Sequence, residues 1–201
     1  MKIIGWKLNR QLILRCLPGL LALVLCLIAG GSRIQAQTPD PAIRMETNPL
    51  SGAVGETFAT RFFADHIPPP GLSDWQISIE YDPIIVEKTD LIFGKDLFST
   101  GREKLLELVN DDTPGRVLFG QITLTGPDGP TGSGLHLATI VWRGVGLGTS
   151  PLTLTPVNTQ KLVAINNVPL TPITLDVSSI KIVGAVALEK AVWLPLLLRL
   201  E

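Results

Sequence analysis

The side chains able to do bond-making chemistry are few, and their spacing argues against catalysis. His66 and His136 are the two histidines, and neither has a partner at His-x-x-x-His spacing. His136 shares the alternation of Ala138 and Ile140, which marks a packed or rim histidine rather than a ligand. No serine stands in a Gly-x-Ser-x-Gly elbow. Asp111-Asp112 is a carboxylate pair of the kind glycoside hydrolysis employs, but adjacent acids in a turn are ordinarily solvated. Asn110-Asp111-Asp112 is also the densest run of oxygen donors, and calcium needs several more oxygens converging on it. Both cysteines, Cys16 and Cys26, lie in the N-terminal segment described below. The remainder of the chain then has no disulfide, thiolate nucleophile or cysteine metal site. The expectation is a protein with no enzymatic activity, no cofactor and no metal.

Recognition chemistry is left. Sugar binding needs flat aromatic rings exposed in a row. Trp75, Tyr81 and Trp142 all fall on the apolar side of their alternations, which leaves Phe119 and Trp193 as two separated rings. Direct binding of a polysaccharide, as a carbohydrate-binding module, is therefore the second reading. Nucleic acid is disfavoured by charge. The chain holds 17 Lys and Arg against 18 Asp and Glu, and the first 36 residues contain five of the basic residues and no acid. Without them, twelve basic face eighteen acidic residues, with no basic cluster.

Residues 1–36 read as a signal peptide. Lys2, Lys7, Arg10 and Arg15 form a basic n-region, Leu17 to Ile28 is an apolar run, and Ile34-Gln35-Ala36 offers a cleavage site before Gln37. The run is shorter than the roughly 20 apolar residues that span a bilayer and is interrupted by Pro18. Cleavage leaves a short linker, 37–41, no membrane span, and a secreted protein that is extracellular or on the cell surface.

From about Pro41 to Val183 short apolar alternations are separated by Gly, Pro, Asn and Asp, the pattern of an all-β sandwich. Ile43-Arg-Met-Glu-Thr47 opens it, and Thr57 to Ala64 follows with Phe58, Thr60, Phe62 and Ala64 on one side. The clearest element is Gly71-Leu-Ser-Asp-Trp-Gln-Ile-Ser-Ile-Glu-Tyr-Asp-Pro83. Its alternation puts Trp75, Ile77, Ile79 and Tyr81 on a buried face and Asp74, Gln76, Ser78 and Glu80 on the other. Ile84 to Val86 and Leu91 to Phe93 read as short extended pieces. Val117 to Leu124 alternates with apolar residues on both faces, Leu118, Gly120, Ile122 and Leu124 against Val117, Phe119, Gln121 and Thr123. Gly126 to Gly134 is a flexible loop. Leu137 to Arg143 buries Ala138, Ile140 and Trp142, and four more strands run to Val183: Leu152 to Leu154, Leu162 to Ile165, Ile173 to Val177 and Ile180 to Val183.

Val54-Gly-Glu-Thr57, a proline-rich bend, Gly71-Leu72, the gapless strand, Tyr81-Asp82-Pro83 and Ile85-Val86-Glu87 together resemble the cohesin domain. Cohesins are β-sandwich modules related in fold to certain carbohydrate-binding modules, and they bind dockerins in cellulosome-type assemblies. The resemblance covers residues 42–183. It implies a jelly-roll-type antiparallel β-sandwich behind the signal segment. It also favours a strand over a short helix for Gly101 to Val109, as does the type II turn suited to Thr113-Pro-Gly-Arg116.

The outward residues of the Trp75 strand match the strand with which cohesins receive a dockerin helix. With the Val117 strand in the same sheet, the implied partner face is Asp74, Gln76, Ser78 and Glu80 as a polar rim around Phe119, Gln121 and Thr123. The implied role is non-catalytic recognition of a dockerin-like protein in extracellular polysaccharide degradation or cell-surface assembly. Residues 184–201 form an apolar tail, with Trp193-Leu-Pro-Leu-Leu-Leu-Arg-Leu200 too short to span a bilayer. It reads as a flap over an apolar patch or as a sorting or docking segment.

Overall fold

The computed structural model describes residues 39–184 other than 125, 127, 156–158 and 166. The expected signal segment, 1–36, Gln37, Trp193 and the tail beyond Gly184 lie outside the described residues. Thirteen strands follow one another: β1 Ala42–Asn48, β2 Ser51–Ala53, β3 Thr57–Asp65, β4 Leu72–Glu80, β5 Val86–Phe93, β6 Lys104–Asn110 and β7 Arg116–Thr123. Then come β8 Leu135–Gly144, β9 Gly148–Leu152, β10 Lys161–Ala164, β11 Val168–Pro169, β12 Thr174–Leu175 and β13 Ser178–Val183. A 3₁₀ turn, Asp96–Phe98, follows β5.

Two five-stranded sheets face each other, ordered β12-β1-β3-β8-β5 and β11-β10-β4-β7-β6. A small sheet, β2-β13-β9, joins the early strand β2 to two later ones. Pairing is antiparallel except at the periphery, where β12 runs parallel to β1 and β2 parallel to β13. This is a jelly-roll-type sandwich. Where Gly101 to Val109 is expected as a strand, β6 forms over Lys104–Asn110, with no helix there. Ile84 to Phe93, expected as two pieces, is one strand from Val86 with a bulge between Lys88 and Asp90. The very short β2 and β11 carry no alternation long enough to be read from sequence.

The core lies between the two large sheets, and aromatic rings cross it. Phe62 of β3 meets Phe119 of β7 edge-on at 5.2 Å, and Phe119 meets Trp75 of β4 edge-on at 5.8 Å. Trp75, Ile77, Ile79, Ile140 and Trp142 are buried, and half-buried Tyr81 packs on Trp142 at 4.9 Å. Buried indole N–H groups need acceptors. Trp142 Nε1 donates to Thr60 Oγ1 at 2.9 Å, and Trp75 Nε1 to Gln121 Oε1 at 3.1 Å.

Two turns set the ends of the β11-β10-β4-β7-β6 sheet. Pro114-Gly115 joins β6 to β7, with Arg116 N–H donating to Thr113 O at 3.1 Å and Gly115 at φ +79°, the geometry of a type II turn. Gly126 to Gly134 is tied down by backbone hydrogen bonds. Gly129 N–H donates to Pro70 O at 3.0 Å, and a Cβ on Gly71 would stand 2.1 Å from Gly129 O. Only two glycines allow that approach.

The expected orientation of β7 is overturned. Ile77 pairs with Phe119 and Trp75 with Gln121, and directly opposed residues of an antiparallel pair share a face. Phe119, Gln121 and Thr123 therefore point into the sandwich, where all three are buried. His136 is also reassigned. The β3–β8 register shifts between Phe62 and Phe63, pairing Phe62 with Ala138 and Phe63 with His136. The extra residue, Leu137, turns inward, and His136 packs instead on the Phe63 ring at 5.6 Å.

Candidate functional site

The outer face of the β11-β10-β4-β7-β6 sheet can be read rung by rung from its register. Leu106, Ile122, Asp74 and Val163 lie across one rung. Leu108, Gly120, Gln76 and Lys161 form the next, then Asn110, Leu118 and Ser78, with Arg116 opposite Glu80 beyond. Leu106 and Ile122 are exposed, Leu108, Leu118 and Val163 half-buried. An aliphatic strip thus runs across β6 and β7, bordered by β4's polar residues and by Lys161 and Arg116.

Two depressions sit on this face. The larger, ≈ 710 Å³, has Gly120, Gln76, Ile122 and Val163 on its floor and Pro169, Leu170 and Ile173 as one wall. Gly120 is tight on its neighbour strand, since a Cβ there would stand 2.4 Å from Trp75 O. The smaller, ≈ 190 Å³, is lined by Asn110, Thr113, Arg116 and Leu118 near the type II turn.

The expected polar rim is largely committed to structure. Asp74 is half-buried; its carboxylate accepts from Thr123 N–H at 2.9 Å and Ser73 Oγ at 2.9 Å. Gln76 Nε2 donates to Thr159 O at 2.9 Å. Ser78 faces outward but is buried, because Gln160 lies over it, accepting from its N–H at 2.9 Å and donating to its carbonyl at 2.8 Å. Arg116 Nε donates to Ser78 Oγ at 2.9 Å. Glu80 alone of the seven expected face residues is exposed. The apolar centre expected at Phe119 belongs to Leu106, Leu108, Leu118 and Ile122. The β6 leucines carried a signal: three leucines in five residues of a turn-bounded segment exceed what one buried face needs.

Inside the sheet Gln121 is a strut. Besides accepting from Trp75, its Nε2 donates to Glu107 Oε1 at 3.2 Å and Gly94 O at 3.3 Å. Thr123 Oγ1 donates to Ser73 O at 2.8 Å and accepts from Arg102 Nε at 2.9 Å. Buried and bonded inside the sandwich, neither side chain is presented to a partner.

The other candidate chemistry is equally occupied. Asp111 pairs with Lys88 at 2.7 Å, and this hydrogen bond and charge hold its carboxyl below the ordinary range. Asp112 N–H donates back to Asn110 Oδ1 at 3.3 Å. Among the described residues no three His, Cys, Asp or Glu side chains converge as a metal site would require. His66 Nδ1 lies 3.2 Å from Ser133 Oγ, and His136 Nε2 lies 2.9 Å from Thr139 Oγ1. On the opposite sheet Asp65 accepts from Arg44 Nε at 2.7 Å and from Gly134 N–H at 2.6 Å. Partial burial pushes the Asp65 carboxyl up, but the Arg44 and Gly134 hydrogen bonds outweigh it and hold the carboxyl low.

The fold recurs in solved structures. The seventh ScaB type I cohesin from Pseudobacteroides cellulosolvens superposes with a TM-score of 0.59 at 13% identity, covering 75% of this chain and 96% of that one. The domain has the cohesin fold. The sixth cohesin from Acetivibrio cellulolyticus scaffoldin B, solved in complex with a Cel5 dockerin, gives 0.55 at 12% identity over 72% and 98% of the two chains. A non-cellulosomal cohesin from the hyperthermophilic archaeon Archaeoglobus fulgidus gives 0.56 at 13%, over 73% and 93%. No family model matches the sequence, and no curated protein does. A cohesin fold at this identity keeps the sandwich while its surface residues are this chain's own. Among the described residues no helix is long and apolar enough to cross a membrane.

Proposed function

We propose that this protein is a secreted, non-catalytic recognition module that binds a dockerin-type protein through the outer face of β10-β4-β7-β6. The observation that carries the reading is the aliphatic strip of Leu106, Leu108, Leu118 and Ile122, bounded by Lys161, Arg116 and Glu80 and flanked by two depressions. An apolar centre with a charged border is how protein-recognition surfaces are built. The strip has no aromatic ring, so it suits the apolar side of a helix and offers no stacking platform for a pyranose. Dockerin binding by solved cohesins of the same fold supports the same partner class. Polysaccharide breakdown outside the cell, or assembly at its surface, is the setting such a partner implies. In the same reading residues 1–36 are removed on export and 42–183 act as one module.

The test is capture of dockerin-bearing proteins from the secretome of the source, with immobilised protein as bait. Ile122→Asp and Leu106→Asp should each abolish capture, at about 2 kcal/mol or more of lost binding, whereas Glu80→Lys should act mainly on association rate and salt dependence. Retention on cellulose, xylan or chitin with no protein captured would overturn the reading.

A further inference from the structure

We propose that the apolar patch at the end of the sandwich where β13 stops is the docking site of this chain's own residues 185–200. Five aliphatic side chains are exposed there: Ile84 at 73%, Leu147 at 63%, Val54 at 52%, Val183 at 41% and Val145 at 38%. They form one patch because their backbones touch. Gly55, beside Val54, donates its N–H to Gly144 O at 2.8 Å, and Val145 donates to Ile85 O at 2.9 Å. Gly146 also donates to Ile85 O, at 3.2 Å, and a Cβ on Gly146 would stand 2.1 Å from Ile84 O. Single exposed aliphatics are ordinary, but a contiguous group marks a surface that something covers.

The occupant follows from where the chain goes next. Val183 pairs with Ala53, the neighbour of Val54, and Ile182 pairs with Gly148, the neighbour of Leu147. β13 therefore delivers Gly184 between two walls of the patch. The seventeen residues from Ala185 to Glu201 include thirteen Ala, Val, Leu, Trp or Pro, and their charges cancel, Glu189 and Glu201 against Lys190 and Arg199. A segment of this composition gains by leaving water, at roughly 25 cal/mol per Å² of apolar surface. Being continuous with β13, it meets the patch at an effective concentration on the order of millimolar, ahead of any separate copy at micromolar levels. This end is remote from the Ile122 strip along β4, so the inference stands whether or not the dockerin reading does.

Trp193 provides the readout. The emission difference between the chain and its Trp193→Phe variant isolates that ring from Trp6, Trp75 and Trp142. The expected result is a blue-shifted Trp193 emission with loss of acrylamide quenching, the same at every protein concentration. Ile84→Asp combined with Leu147→Asp, both at exposed positions, should restore full quenching while the chain stays folded by circular dichroism. Trp193 freely quenched in the unaltered chain would overturn the proposal, as would shielding unaffected by the two aspartates, which places the segment elsewhere. Shielding that rises with protein concentration assigns the patch to a second copy, and shielding only upon adding phosphatidylcholine vesicles assigns the segment to a lipid surface. Either would also overturn it.

Discussion

The inner and outer faces of β7 both carry apolar residues and play opposite parts. Inside, Trp75, Ile77, Ile79, Val117 and Phe119 press against the second sheet, and the buried Gln121 and Thr123 spend their hydrogen bonds on neighbours. Outside, half-buried Leu118, the Gly120 floor and exposed Ile122 sit beside β6's leucines on the sheet's solvent side. The inner face has the rings and the outer face has none. Rings bring large contact area and demand a closed, complementary environment. Short aliphatics next to a glycine floor leave a shallow surface that can open to a partner. Hydrophobicity alone does not define the core; which face the opposing sheet closes does.

The sharpest way to break this contrast is truncation on the inner face. Phe119→Ala removes a ring in edge contact with both Phe62 and Trp75 and should cost about 3–5 kcal/mol in urea unfolding. A loss like that of a surface change would mean the faces are reversed. Next is Gln121→Leu, close in volume but unable to accept from Trp75 Nε1. Stranding that buried indole N–H should cost about 1–3 kcal/mol and alter the near-UV circular dichroism of tryptophan. Unchanged spectra and stability would show that the strut carries nothing.

Asp65 extends the comparison to the other sheet, where a largely buried carboxylate ties β1 to the loop before β8. Its folded pKa is depressed from the ordinary 3.8. The sign follows: its contribution is fully present above the unfolded value and is lost as pH falls through the lower folded value. Asp65→Asn should cost about 1–2 kcal/mol at neutral pH. It should also flatten the acid limb of the stability–pH curve below about pH 4, measured by thermal unfolding. An unaltered acid limb would remove Asp65 from the account. The smallest expected effect is on the outer face, where Ile122→Asp should change stability by under about 1 kcal/mol. A larger loss would mean that the strip is packed in the folded protein and not held open.

Legibility differed from strand to strand for a physical reason. β4 alternates cleanly, so its Trp75, Ile77 and Ile79 face could be assigned from sequence. β7 offers apolar residues on both faces, and a one-residue choice turns every side chain over. Only the register against β4, Ile77 opposite Phe119, settles which set is inside. The β8 bulge that rotates His136 outward is invisible for the same reason, because one inserted residue leaves composition unchanged.

By itself the sequence determined what depends on local pattern and residue type. That covers the all-β architecture, the type II turn at Pro114-Gly115, the buried side of β4 and the poverty of catalytic groups. Tertiary structure alone decided what depends on neighbours distant in the chain. Phe119 belongs to the core because Phe62 stands opposite it, 57 positions earlier in the chain. Ser78, outward by alternation, is closed to solvent because Gln160 reaches across to its backbone. The aliphatic strip exists because β6 and β7 bring Leu106 beside Ile122. Alternation sets which residues lie together on a strand face; only the packing of one sheet on another decides which face meets water.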